Sequence, residues 1–209
     1  MIIEMRTYTV QPGTVAAFEE RFGAALPALT KISPLAAFWH TEVGPLNRVI
    51  QVWPYDDLAA RTRLREEATK EATKLQGWLA SVREFEVEQQ SDIYIPAPFS
   101  PVLEPRQLGN LYEIRIYTFR PGAIPGVIDR WSGRIAERVK LSPLVGAWYS
   151  ELGGLNKWCH IWAYKDAAER FRIREEARAK GVWPPTGGQG MLLKQENMLV
   201  VPASFSPLH

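Results

Sequence analysis

The stretch EMRTYTVQPG at Glu4–Gly13 returns as EIRIYTFRPG at Glu113–Gly122. Internal similarity of this kind indicates two copies of one structural unit. We therefore predict a first unit at residues 1–101, a linker at 102–110 and a second unit at 111–209. Four further pairs of matching segments begin at Lys31 and Lys140, Glu42 and Glu151, Arg61 and Arg170, and Pro96 and Pro202.

The composition is that of an ordinary soluble protein, with 46% hydrophobic and 23% charged residues among 209. A net charge of +2 is too small to favour nucleic acid or an acidic membrane as a partner. No apolar run approaches the ~20 residues of a membrane helix, and the first strand signal begins at Ile2. The only cysteine, Cys159, excludes an internal disulfide. We expect a cytoplasmic protein without nucleic-acid or membrane partners.

One unit has the hydrophobic pattern of a β-α-β-β-α-β fold. Pro12-Gly13 and Gly44 to Asn47 are turn signals, and Ser33-Pro34 ends the first helix. The predicted elements are a strand at Ile2 to Val10, a helix from Val15 through Leu29, strands at Ala36 to Glu42 and Arg48 to Tyr55, a helix capped by Asp56 or Asp57 that reaches Ala72, and a strand at Gln89 to Ile95.

A sheet of this kind has helices on only one face, so the other face needs a cover. We expect aliphatic Ile3 and Met5 to meet the helices and the alternate residues to form the open face. Burying roughly eight aromatic side chains at ~2 kcal/mol each would stabilise the chain by a gross ~16 kcal/mol. We therefore expect the two open faces to cover each other. This predicts an α+β fold of two ferredoxin-like units packed as a pseudo-symmetric α/β barrel within one chain.

Four motifs together resemble those of the NIPSNAP family. They are E-x-R-x-Y-T-x-x-P-G, W-x-x-E-x-G-x-L-N, a strand ending in W-x-Y, and a closing P-A-x-F-S-P, and they cover nearly the whole chain twice. The resemblance implies the dimeric α/β barrel superfamily. That superfamily includes cofactor-free monooxygenases, lactone isomerases and haem-binding proteins, which are only analogies of fold.

The sequence departs from the family pattern at two places. The histidine of the third strand is matched by His160 in the second unit but is replaced by Gln51 in the first. The helical stretch before the last strand is interrupted in the second unit by Pro184, Pro185 and Gly187-Gly188. If the strand-three histidine acts, only one unit can act.

The strongest polar group lies on the first strand of each unit. A carboxylate, a guanidinium and a phenol alternate there and share one face, which could orient an acidic or carbonyl-bearing ligand on the inner wall of the barrel. The alternative is a structural ion-pair network, and its presence in both units favours that alternative. These candidates are Glu4, Arg6 and Tyr8, with Glu113, Arg115 and Tyr117.

His160 lies between tryptophans on the predicted open face. It is a candidate general acid–base or ligand-contacting residue, although a satisfied core histidine is the more common case. Trp53 and Trp162 are candidate ligand contacts for the same reason. No second His or Cys stands at metal-ligand spacing, so we predict no metal site and no cofactor.

The helix arginines Arg61 and Arg65, repeated as Arg170 and Arg174, lie at the apolar edge without a carboxylate partner on their own helix. They either extend along that edge towards solvent or flank the mouth of a cavity for an anion.

Three hypotheses for function remain. The first is a protein that binds or transforms a small apolar or acidic molecule in an aromatic-lined barrel cavity reached by Arg6, Tyr117 and His160. The second is a non-catalytic interaction protein with a filled barrel. The third and most distant is a haem-binding protein. Association into homo-oligomers is compatible with each of them.

Overall fold

The computed structural model describes all residues 1–209. Its strands and helices follow each other in the predicted order, with two additional short helices. The elements are β1 Ile2–Val10, α1 Val15–Leu29, β2 Ala37–Val43, β3 Arg48–Tyr55, α2 Leu58–Lys74, α3 Trp78–Arg83, β4 Glu86–Pro96, β5 Leu111–Phe119, α4 Ile124–Ser132, α5 Ile135–Arg138, β6 Leu144–Leu152, β7 Lys157–Tyr164, α6 Ala167–Ala179 and β8 Leu192–Pro202.

The eight strands form one closed barrel in the order β1-β3-β2-β8-β5-β7-β6-β4. Each unit contributes four antiparallel strands with its first strand between its third and fourth. The two sheets join where β2 pairs with β8 and where β4 pairs with β6. The last strand of each unit therefore pairs with the second strand of the other, which leaves no free sheet edge. The predicted intramolecular barrel is confirmed.

Local sequence signals account for several element boundaries. Asp57 caps α2 by accepting a hydrogen bond from the Ala60 backbone N–H at 2.7 Å, and Asp166 caps α6 in the same way at 2.8 Å from Glu169. Asn47 and Asn156 adopt positive φ angles of 57° and 58° at the two hairpin turns, a conformation that asparagine tolerates well.

The predicted orientation of the sheet faces is wrong. Ile3 and Met5 and their counterparts in the second unit, Tyr112 and Ile114, belong to one cluster inside the barrel, together with Cys159. Tyr8 instead packs with Phe18 and Phe22 of α1 on the helix-covered side. An eight-stranded barrel has an interior just wide enough to be filled by side chains, so aliphatic residues and compact aromatic rings complete it. The polar face of each sheet therefore lies beneath the helices.

The linker and the C-terminal tail meet at the barrel. Leu103 and Leu108 pack against the interior cluster, and the Arg106 backbone N–H donates to the Pro207 carbonyl at 3.0 Å. The Trp39 indole N–H donates to the Leu208 carbonyl at 3.3 Å. These contacts fix both segments against the barrel. No helix of the structure is long and apolar enough to cross a membrane.

Candidate ligand-binding site

The polar face of the first sheet carries a buried ion-pair network centred on Glu4. Its Oε1 accepts hydrogen bonds from Arg6 at 2.9 Å, from Arg61 of α2 at 2.5 Å and from Ser91 at 2.6 Å. Arg6 also donates to the Tyr8 hydroxyl at 2.6 Å. Burial would raise the pKa of Glu4, but the hydrogen bonds from Arg61 and Ser91 and the charge of Arg6 outweigh it and lower that pKa to about 2.

The second sheet repeats this network around Glu113. Arg115 and Arg170 each donate to Glu113 Oε1 at 2.5 Å, and Arg174 lies 3.5 Å from Oε2. Arg115 also donates to the Tyr117 hydroxyl at 2.7 Å. The strand glutamates are thus the partners that Arg61, Arg170 and Arg174 lack on their own helices. Both glutamates are fully buried, and their networks join α2 and α6 to the sheets.

A cavity of about 610 Å³ lies in the second unit between the sheet and its helices. We call it the second-unit cavity. Its wall includes Trp131 of α4, Trp162 of β7 and Trp183 of the loop before β8. The rings of Trp131 and Trp183 meet edge to face at 4.5 Å between centroids. The volume falls within the range of small-molecule sites.

The charged side chains lining the second-unit cavity are all cationic. Five arginines contribute, namely Arg115, Arg130, Arg138, Arg174 and Arg178, and no aspartate or glutamate lines it. Arg115 and Arg174 are paired with Glu113. The other three form no ion pair with a carboxylate. The cavity therefore has the electrostatic character of an anion site.

Arg138 is the least compensated of these cations. Its side chain is buried, with a relative exposure of only 2%. Its guanidinium donates to the Ser142 hydroxyl at 2.9 Å and to the Tyr164 hydroxyl at 3.3 Å, and lies 4.0 Å from the centroid of the Trp162 ring. Its Nε has no hydrogen-bond partner. Burial lowers the pKa of Arg138, which reflects the free-energy cost of a buried charge that only neutral groups contact.

His160, which also lines the cavity, carries a second unused donor. Its Nδ1 accepts a hydrogen bond from the Trp162 indole N–H at 2.8 Å. In the neutral ring the proton therefore lies on Nε2, which is buried and has no partner. Burial, followed by the charges of Arg115, Arg174 and Arg138, lowers the pKa of His160 well below its ordinary value. His160 is thus a neutral N–H donor near pH 7.

The first unit has a much smaller equivalent, the first-unit cavity, of about 160 Å³. Leu29 occupies the position of Arg138, and Gln51 occupies that of His160. The Trp53 indole N–H donates to Gln51 Oε1 at 3.1 Å, and Gln51 Nε2 has no partner. Gln51 therefore reproduces the acceptor and the free donor of neutral His160. No cation stands at the position equivalent to Arg138, which Leu29 occupies.

The interrupted segment of the second unit explains the difference in volume. In the first unit, α3 places Trp78, Leu79 and Val82 against the cavity. In the second unit the loop at 183–190 takes that place. Gly188 of this loop has φ +75°, and a Cβ there would lie 2.7 Å from Arg130 Nη2. The loop therefore covers the cavity closely without filling it.

The candidate residues predicted from the sequence lie in two different cavities or in neither. Tyr117, His160, Arg115 and Trp162 line the second-unit cavity. The candidates Arg6, Tyr8 and Trp53 line the first-unit cavity, whereas Glu4 and Glu113 line neither. The expectation of one shared cavity inside the barrel is wrong, because the interior is filled and the cavities lie beneath the helices.

Arg138, Arg130 and Arg178 were not among the residues predicted from the sequence. The signal for Arg138 was present, because it aligns with Leu29 in the apolar register of the first helix. Where one unit has an apolar core residue and the other has a cation, we expect the second unit to have a site that the first unit lacks.

Two four-stranded α+β halves closed into one barrel define the dimeric α/β barrel class. The same fold is found in a "putative monooxygenase" from Lactobacillus acidophilus, with a TM-score of 0.68 over 97% of this chain and 94% of that one. Their sequences are 10% identical, so this likeness concerns the fold alone.

Sequence comparison identifies the family within this class. The NIPSNAP family model matches residues 3–101 and 112–207. The human Protein NipSnap homolog 3B is 30% identical over 213 residues, which cover 98% of this chain and 85% of the relative. Protein NipSnap homolog of Dictyostelium discoideum is 32% identical over 191 residues, covering 88% and 79%. The chain belongs to the NIPSNAP family.

Proposed function

We propose that the protein binds a small organic anion in the second-unit cavity. The observation that carries this proposal is Arg138, a buried guanidinium that forms no ion pair, in a cavity lined by arginines and by no carboxylate. An uncompensated buried charge costs several kcal/mol, and a bound anion would offset that cost. The unused Nε2–H of His160 supplies a hydrogen bond to the same ligand.

The first unit provides the internal contrast for this proposal. It has the same fold, but Leu29 replaces Arg138 and α3 occupies the space of the cavity. The ion-pair networks around Glu4 and Glu113 occur in both units and account for the fold. The buried cation of Arg138 and the larger cavity volume belong to the second unit alone, which supports a role in binding.

Native mass spectrometry of the purified protein, before and after denaturation, tests the proposal directly. We expect a small acid that leaves on unfolding, or, in the ligand-free protein, a rise in thermal midpoint with millimolar acetate, benzoate or phosphate. Arg138→Leu should abolish both effects. Arg134→Leu, the same change at an exposed position four residues earlier, is the matched control and should retain them. An absence of bound acid together with unchanged midpoints in all anions would refute the proposal.

A further inference from the structure

The most buried part of the second-unit cavity, which we call its floor, carries its polar groups. Arg138 and His160 are buried and both contact Trp162. The rings of Trp131 and of the half-buried Trp183 line the cavity beside them. A ligand that contacts Arg138 or His160 in this cavity therefore has aromatic rings beside it.

Trp162 fixes the two polar groups at the floor. Its indole N–H holds Nδ1 of His160, so that Nε2–H remains available. Its ring face lies 4.0 Å from the Arg138 guanidinium carbon. One side chain thus sets both the proton position of the histidine and the position of the cation. A carboxylate has two oxygens and could accept from both groups at once.

The aromatic wall is arranged edge to face. Trp131 meets Trp183 at an interplanar angle of 88°, and Trp162 meets Trp183 at 72°, with centroids 5.8 Å apart. Rings in this arrangement pair edges with faces, and a planar aromatic ligand beside them can extend the cluster in the same way. A saturated ring of similar size buries apolar surface but lacks the ring quadrupole.

Resting on the anion site proposed above, we infer that the ligand is an aromatic carboxylic acid that enters with its carboxylate towards Arg138 and His160. The carboxylate accepts from the Arg138 guanidinium and from His160 Nε2–H. The ring lies among Trp131, Trp162 and Trp183. His160 acts as a fixed neutral donor, and binding requires no change in its protonation.

Isothermal titration with three matched probes tests this inference. They are naphthoate, its saturated analogue decalin carboxylate, and the uncharged naphthamide. We expect naphthoate to bind about three- to tenfold more tightly than decalin carboxylate, as expected for aromatic pairing. Naphthamide should bind at least about tenfold more weakly than naphthoate, since it leaves Arg138 uncompensated.

The outcomes separate this inference from the proposed function. If decalin carboxylate binds as tightly as naphthoate, the aromatic class is refuted while the anion site stands. If neither acid binds, the aromatic class is refuted, and the thermal midpoints in acetate and phosphate decide whether the anion site stands. If naphthamide equals naphthoate, charge recognition fails.

The role of His160 has its own test. His160→Gln should keep naphthoate binding within about threefold, because Gln51 holds the same acceptor and donor positions in the first unit. His160→Ala should weaken binding at least about tenfold. A His160→Gln variant as weak as His160→Ala would show that the fixed neutral donor is not the relevant property of His160. Circular dichroism and thermal midpoints of both variants establish that they are folded.

Discussion

Replacing Arg138 by leucine should remove anion binding with little or no loss of stability in the ligand-free protein. The variant installs the residue that the first unit has at the equivalent position, Leu29. Replacing buried ionic groups by apolar side chains of similar volume is often stabilising by roughly 1–4 kcal/mol. Against this stand the lost contact with Trp162, about 1 kcal/mol, and the hydroxyls of Ser142 and Tyr164, which lose a donor at a cost of about 1–3 kcal/mol.

The first unit shows that the fold accommodates the resulting arrangement. Leu29, Ser33 and Tyr55 line the first-unit cavity together, and the hydroxyls of Ser33 and Tyr55 have no hydrogen-bond partner there. Because the first unit tolerates these two unpaired hydroxyls, we take the low end of their cost, about 1 kcal/mol, and the net change then lies between about 1 kcal/mol against the variant and about 2 kcal/mol in its favour, centred slightly in its favour. For a chain of this length that is a thermal midpoint between about 4 °C lower and about 8 °C higher.

Differential scanning calorimetry with and without benzoate measures both effects in one experiment. Wild type should gain about 2.7 kcal/mol at a ligand concentration a hundred times the dissociation constant, whereas Arg138→Leu should gain nothing. A ligand-free midpoint more than about 4 °C below that of wild type would show that Arg138 stabilises the folded protein, and the reasoning from an uncompensated charge would be refuted.

Three further predictions concern the ion-pair networks and the divergence of the units. Glu4→Gln should lower the free energy of unfolding in urea by about 3 kcal/mol, because it leaves the cations of Arg6 and Arg61 without their counter-charge; the exposed Glu104→Gln is the control, and an equal loss in both would contradict the network. The pKa of Glu4, about 2 in the folded protein against 4.5 for an unperturbed glutamate, means that its stabilisation is present above pH 4.5 and is lost as the pH falls towards 2, by about 3 kcal/mol; acid unfolding monitored by circular dichroism should be less steep in Glu4→Gln, and superimposable curves would argue against this assignment. His160→Ala should weaken anion binding more than Gln51→Ala in titration calorimetry, and equal effects would mean that the units have not diverged in function.

The fold could be predicted because its determinants are local and occur twice. The first strand, the first helix and the third strand have the bounds that the apolar periodicity indicates, Ile2–Val10, Val15–Leu29 and Arg48–Tyr55. Repetition of each pattern in the second unit guarded against chance matches. Closure of the barrel followed from the need to cover one face of each sheet.

The orientation of the sheet faces could not be predicted from alternation alone, because both faces are buried. In such a strand the aliphatic residues indicate a core but not which of two cores. The deciding observation was on another element. Arg61 and Arg170 stand on the sheet-facing side of α2 and α6, where a carboxylate opposite them compensates cations that are partly or largely removed from solvent. Those carboxylates, Glu4 and Glu113, place the polar face beneath the helices.

The cavity depends on contacts that no pattern of a single segment reveals. Arg138, His160 and Trp183 come from three separate elements and are brought together only by the packing of α4 and α5 on the second sheet. The Pro- and Gly-rich segment around Gly188 indicated the loss of a helix. Only the three-dimensional structure shows that the space of that helix is left open as a cavity. Comparison of the two copies would have shown the cation, since Leu29 and Arg138 align without a gap.

The tandem architecture allows structural and functional requirements to be separated within one molecule. Both units must pack helices on the same kind of sheet, so a contact needed for folding is expected in both, as the Glu4 and Glu113 networks are. A costly feature present in only one unit needs a different explanation. The first unit shows that leucine satisfies the fold at the position of Arg138, and that α3 can fill the space beneath the helices. The buried cation and the open volume of the second unit are therefore not demanded by the barrel, and the anion that we propose would account for both.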